Sequence, residues 1–165
     1  MSAAFAYLNQ QVGWISLVEQ SMSNIAVDRA QGGPWIVAFA ALSAFTCVGI
    51  GAFGAHGLPE RLEEQGFTDA QIGKKLDQCE IGVRYQMFHS LALLALGLAT
   101  TPGGRIPRTI PFVLFSAGIF MFSGNLYLLV FWDRMLHWSI IPLGGLLWMI
   151  GWFWLAIGAL FSSKS

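Results

Sequence analysis

Four stretches of this chain contain no Asp, Glu, Lys or Arg: residues 30–59, 85–104, 109–132 and 135–163. A helix needs about 20 mainly apolar residues to cross ~30 Å of hydrocarbon. In lipid every backbone N–H and C=O must be satisfied within the segment, and a helix does this. The sequence therefore predicts four membrane spans, at about 35–55, 83–100, 110–131 and 140–161. Ten of the eighteen charges lie between Glu60 and Arg84, which makes that stretch the main aqueous segment. Charged residues make up 11% of the chain, against about 25% in soluble domains. That excludes an ordinary soluble globule, a disordered tail and a disulfide-rich module. Nine Lys+Arg balance nine Asp+Glu, so there is no basic footprint for nucleic acid.

The second span is short in apolar residues, and the chain before it suggests why. Thr68 and Gln71 make a T-x-x-Q capping box. Ile72, Leu76, Cys79 and Val83 then recur on one helical face. One long helix from about Asp69 to Thr100 is expected, with its first half amphipathic. Glu80 and Arg84 form an i, i+4 pair, and Arg84 can snorkel to the headgroups. Pro59 is expected to end the first helix. Residues 101–108 and 132–138 read as short turns, and short turns favour antiparallel neighbours. The expected fold is an all-α integral membrane four-helix up-down bundle, with an amphipathic helical extension before the second span.

Residues 34–161 thus form a four-span membrane domain, and residues 1–33 an N-terminal extension. Phe5, Leu8, Val12, Ile15, Met22 and Ile25 keep a three/four rhythm suited to an interfacial amphipathic helix. The alternative is a loosely ordered extension ahead of a true start at Met22. Four spans put both termini on one side, with Arg29, Arg105, Arg108 and Lys164. Arg61, Lys74, Lys75, Arg84 and Arg134 lie on the other. Charge bias barely separates the two orientations. Arg105 and Arg108, in the shortest loop, favour cytoplasmic termini.

Close contact through small residues matters for helices in lipid. Gly51, Gly54 and Gly57 form one smooth stripe, and Gly144, Gly151 and Gly158 another with Gly145 beside it. These are the expected helix-packing residues, within the bundle or between protomers. Cys47 and Cys79 lie at different depths, so no disulfide is expected, and their spacing fits no zinc pattern.

Polar residues inside a span face a partner or a cavity. His56 closes the first span. Gln86, His89 and Ser90 share one face of the second. Ser116 and Ser123 line the third, with Asn125 and Tyr127 nearby. His56, Gln86, His89, Ser90, Ser123 and Asn125 are the candidate buried polar cluster. One reading is interhelical hydrogen bonding. The other is a site in which His56 and His89 bind a metal, haem or quinone. Asp133 and His137 are four apart and could pair in a loop. No catalytic signature is present: there is no G-x-S-x-G, no Walker loop and no H-E-x-x-H.

Four ordered motifs carry a family resemblance. They are Gly51-Ala-Phe-Gly-Ala-His-Gly-Leu58, Val83-Arg-Tyr-Gln-Met-Phe-His-Ser-Leu-Ala-Leu93, Phe122-Ser-Gly-Asn-Leu-Tyr127, and Pro142-Leu-Gly-Gly145 with Gly151-Trp152. From about Pro34 to Leu160 the chain resembles the YgdD/YwdK-like small membrane proteins, labelled domain of unknown function 423. The resemblance implies a multi-pass protein, in bacteria of the cytoplasmic membrane, with no settled biochemical activity; no cofactor is expected from the residues. That family usually has Ser where this chain has Asn125, and Thr where it has Ile141. The functional expectation is a structural or accessory membrane component without an enzymatic role. It is embedded in the lipid bilayer and packs on itself or on a larger membrane complex. A transporter ranks below the His56/His89 site, because the spans hold no ion-binding acid.

Overall fold

The computed structural model describes residues 16, 19–22, 33–99 and 108–162. The expected amphipathic pattern at the N-terminus and most of the 101–108 turn lie outside the described residues. Five helices account for nearly all of the rest. They are α1 (Gly33–His56), α2 (Leu58–Glu64), α3 (Asp69–Leu98), α4 (Thr109–Trp132) and α5 (Ile140–Ser162). α1, α3, α4 and α5 are each long and apolar enough to cross a membrane.

α3 is one helix through the amphipathic and the apolar half, as its capping box predicts. The Thr68 backbone N–H donates to Gln71 Oε1 at 2.9 Å, which satisfies a donor left open at the helix start. Arg84 pairs with Glu80 one turn away. Pro59 ends α1 and also opens α2, because it sits in the first turn, where its missing N–H costs nothing. That short helix was not legible in the sequence. Its Leu58 and Leu62 are buried against Ile72, Cys79 and Val130, so α2 plugs one end of the bundle. Gly66 makes the turn to α3 with φ +82°, a backbone that suits a residue without Cβ.

Long helices that follow one another in the chain run antiparallel. Cys47 of α1 meets Val83 of α3, and a Cβ on Gly33 would lie 2.9 Å from the Gly97 carbonyl. Lys75 of α3 reaches Asp133 after α4, and His89 packs on Phe115. α5 sets Gly144 beside Phe122 and Gly151 beside Phe115. α3 and α4 form the central pair. α1 flanks them through Trp35 and Phe39 on Phe112 and Phe53 on Phe131. α5 flanks them on the other side through Trp148 and Trp152. Half of the α4 span is buried, against 17% of α1 and α5. Exposed Trp35 marks one end of the bundle, and exposed Trp132 and Trp138 mark the other. Indole rings at both ends suit the headgroup layers.

α4 is not a regular α-helix. Its turn over Ile119–Gly124 is π-helical, between α-helical segments Thr109–Gly118 and Asn125–Trp132. Such bulges are rare, and no residue pattern announces this one. Gly144 of α5 lies against the Phe122 backbone within this turn.

α4 ends at Asp133, the one non-glycine residue with positive φ among those described (53°). Asp tolerates this left-handed conformation better than most residues. Its carboxylate is held by the Lys75 ammonium at 2.7 Å, which also donates to the Leu129 carbonyl at 3.0 Å. The cation also sits over the Phe67 ring. A Lys here satisfies a terminal carbonyl and complements the negative helix end. The Lys75 side chain is 9% exposed and that of Asp133 66%, so the pair's stability effect rests on the buried partner. Asp133→Asn keeps the local backbone shape and removes the charge facing Lys75. It should lower bundle stability by about 2 kcal/mol, read from thermal melting in detergent. An unchanged midpoint would show that the ion pair does not hold α4 to α3.

Candidate functional site

The polar residues of the spans do not form one cluster. They fall into separate interhelical contacts, each built around one side chain.

The largest contact centres on Gln86. Its amide Nε2 donates toward the Ser43 carbonyl (2.9 Å), Ser43 Oγ (3.3 Å) and Thr46 Oγ1 (3.1 Å). Its Oε1 accepts from the Tyr127 hydroxyl at 2.8 Å. Ser90 lies one turn on and donates to Ser43 Oγ at 2.7 Å. One amide therefore ties α1, α3 and α4 together at mid-membrane depth. Gln86 and Ser90 were legible as an inward face. Ser43 and Thr46 were missed, although small hydroxyls three apart in an apolar span are a usable signal. Tyr127 was noted only as a neighbour.

His89 makes a second contact, toward α5. Its ring stacks on Trp148 at 3.9 Å with 8° between planes, and Trp148 also lies parallel to Tyr85. Its two nitrogens are both engaged. Trp152 Nε1 lies 3.2 Å from Nε2, and Nδ1 lies 2.8 Å from the Tyr85 carbonyl. An indole N–H only donates and a carbonyl only accepts. So Nε2 accepts and Nδ1–H donates, which makes His89 a neutral Nδ1–H tautomer with its lone pair already used. Trp148 in turn donates to the Phe115 carbonyl at 3.2 Å.

The remaining polar residues are local staples. Ser123 donates to the Gly82 carbonyl at 2.8 Å, tying the π turn to α3. Asn125 accepts from the Leu136 N–H at 3.1 Å and donates to the His137 carbonyl at 3.4 Å. It is bound to the loop before α5 and takes no part in the Gln86 contact. Ser116 Oγ is buried without a partner.

Two expectations are corrected. His56 is exposed at the end of α1 and does not belong to the buried cluster. Nor does it meet His89. Gly54, two residues before His56, lies against Cys79, and His89 is ten residues further along α3, about 15 Å. Asp133 is paired with Lys75, and His137 Nδ1 instead accepts from Ser139 Oγ at 2.7 Å. No three His, Cys, Asp or Glu side chains come together as a metal site among the described residues. Cys47 and Cys79 are both buried and unbonded to each other.

The glycine stripes are spent inside the bundle. A Cβ at Gly144 would lie 2.7 Å from the Phe122 nitrogen, and one at Gly151 2.6 Å from the Phe115 ring. Gly51 and Gly54 face Val83 and Cys79 of α3 more loosely. A cavity of about 470 Å³ remains beside them, reaching Glu80. Gly57 meets only Phe53 of its own turn. Gly158 is buried. Gly118, absent from the expected stripes, makes the tightest approach: its Cβ would lie 2.2 Å from Trp148 Nε1.

Four apolar spans joined by interhelical hydrogen bonds define a multi-span helical membrane protein. The family described as "Protein of unknown function (DUF423)" matches residues 50–145, and the chain belongs to it. It is 42% identical over 125 residues to a UPF0382 membrane protein of Haemophilus influenzae, covering 76% of this chain and 92% of that one. To the UPF0382 membrane protein YwdK of Bacillus subtilis it is 36% identical over 120 residues, covering 72% and 90%. To the UPF0382 inner membrane protein YgdD of Escherichia coli it is 33% identical over 128 residues, covering 76% and 89%. No solved structure matches the chain.

Proposed function

We propose that this protein is a structural or accessory component of the bacterial cytoplasmic membrane, with no chemistry performed inside its bundle. The observation that carries this reading is that the two large polar side chains of its interior, Gln86 and His89, are fully engaged within the bundle. Gln86 spends its amide on α1 and α4, and His89 spends both ring nitrogens on Tyr85 and Trp152. A catalytic or ligand-binding His needs a nitrogen facing an open volume. His89 instead faces stacked indole.

The glycine faces hold the bundle together, so a protein partner would meet the outer faces of α1 and α5. These carry exposed Leu42, Phe45 and Val48, and exposed Met149 and Phe153. In a bilayer the same surface is ordinary lipid contact. The termini are assigned to the cytoplasmic side on the Arg105 and Arg108 loop.

The test is to purify the protein from its own membrane and assay metal, haem and quinone, beside His89→Ala. This reading expects no stoichiometric cofactor in either protein, and a lower melting temperature in the variant. A cofactor present at one per chain and lost in His89→Ala would overturn it.

A further inference from the structure

We propose that the open end of the bundle beside α2 binds one anionic phospholipid, with its phosphate on Arg61 and an acyl chain between α1 and α4. Two adjoining cavities carry the argument. The outer one, of about 270 Å³, is lined by Arg61, Gln65, Lys75 and Asp133 among others. The inner one, of about 290 Å³, is lined by Gly49, Ile50, Phe53, Arg61, Phe131 and Trp132. Arg61, Phe131 and Trp132 border both, so the two adjoin along one shallow groove.

The polarity of the cleft is graded along the membrane axis. The outer part holds the charges, at the level where α4 ends and Trp132 is exposed. The inner part is apolar except for Arg61 and reaches Gly49, Ile50 and Phe53 of α1. A headgroup above an acyl chain has the same gradient. The charge also matches. Lys75 and Asp133 neutralise each other at 2.7 Å. Arg61 has no ion-pair partner among the described residues, and Glu60, Glu63 and Glu64 of α2 do not line either cavity. That leaves an exposed Arg61 guanidinium, without an ion pair among the described residues, at the edge of an apolar groove. A guanidinium binds a phosphate diester through two parallel N–H donors. Gly49 keeps the groove open, since a Cβ there would touch nothing within 4 Å.

The test uses the full chain in mild detergent, delipidated and then titrated with phosphatidylglycerol or phosphatidylcholine under native mass spectrometry. Wild type should bind one phosphatidylglycerol in preference to phosphatidylcholine. Arg61→Gln should weaken phosphatidylglycerol binding roughly tenfold. Gly49→Leu fills the groove without meeting a neighbouring helix, and should weaken it comparably. Lys74→Gln removes a positive charge that does not line the cleft, and should leave binding unchanged. Equal binding of both lipids, or full phosphatidylglycerol binding by both Arg61→Gln and Gly49→Leu, would overturn the proposal. A loss in Lys74→Gln equal to that in Arg61→Gln would reduce it to general surface charge and overturn it as well. Both cleft variants should keep the wild-type melting temperature, which separates lost binding from lost folding.

Discussion

Gly144→Ala should destabilise the bundle by about 2–3 kcal/mol, while Gly145→Ala, one residue on, should be close to neutral. The added Cβ at position 144 would lie 2.7 Å from the Phe122 nitrogen and 3.1 Å from the Met121 Cβ. A backbone atom cannot swing aside, so α5 must move off the π turn of α4. At position 145 the nearest atom is Phe122 Cδ2 at 4.0 Å, an ordinary contact. Helix propensity favours Ala over Gly at both sites by up to about 1 kcal/mol, so propensity works against the predicted loss at 144. Gly118→Ala should match or exceed it. Its Cβ would meet Trp148 at 2.2 Å, and Trp148 is held by the His89 stack and the Phe115 carbonyl. Reversible unfolding in mixed detergent would give all three values. Equal stability of the 144 and 145 variants would mean that α5 does not pack on α4 as described.

Gln86→Leu is the second large effect. It removes the acceptor of the Tyr127 hydroxyl and the donor shared by Ser43 and Thr46. Interhelical hydrogen bonds in membranes average about 0.6 kcal/mol, and stranded buried partners add to that. A loss of about 2 kcal/mol is expected. Tyr127→Phe should cost only ~0.6 kcal/mol, because it removes one bond. In the Gln86→Leu background the same Tyr127→Phe change should cost nothing or be favourable, since the hydroxyl has already lost its acceptor. Additive losses would show that the two residues are not coupled.

The spans were readable because charge is so costly in hydrocarbon that its absence marks the boundaries. α1 exceeds its expected limits by two residues at its start and one at its end, and α5 by one residue at its end alone. The long α3 was readable from the Thr68–Gln71 cap and the apolar face after it. The π turn of α4 was not, because no local residue pattern marks it. The inward faces of Gln86, His89, Ser90 and Ser123 were also readable, since polar groups in a span must be turned from lipid. Their partners were not. Helical periodicity says which way a side chain faces but not what stands opposite. Trp152 on His89 and Tyr127 on Gln86 join residues 63 and 41 positions apart. His56 was misplaced for a related reason. At the last turn of α1 a residue can be on a reasonable face and still lie beyond the bundle interior. Lys75 reverses that case: it is a charged residue in the aqueous half of α3, buried because the end of α4 offers it a carbonyl and a carboxylate.

The central claim is that Gln86 and His89 are bonded within the bundle. His89 tests it most directly, because its two nitrogens must have opposite roles. Nitrogen-15 NMR of imidazole-labelled protein in detergent, assigned through His89→Asn, reads those roles at each nitrogen. The account predicts one neutral species, protonated at Nδ1 and accepting at Nε2, unmoved by added zinc. In Trp152→Phe only the Nε2 signal should shift. An Nε2-protonated ring, or a His89 signal displaced stoichiometrically by metal in the unaltered protein, would contradict it.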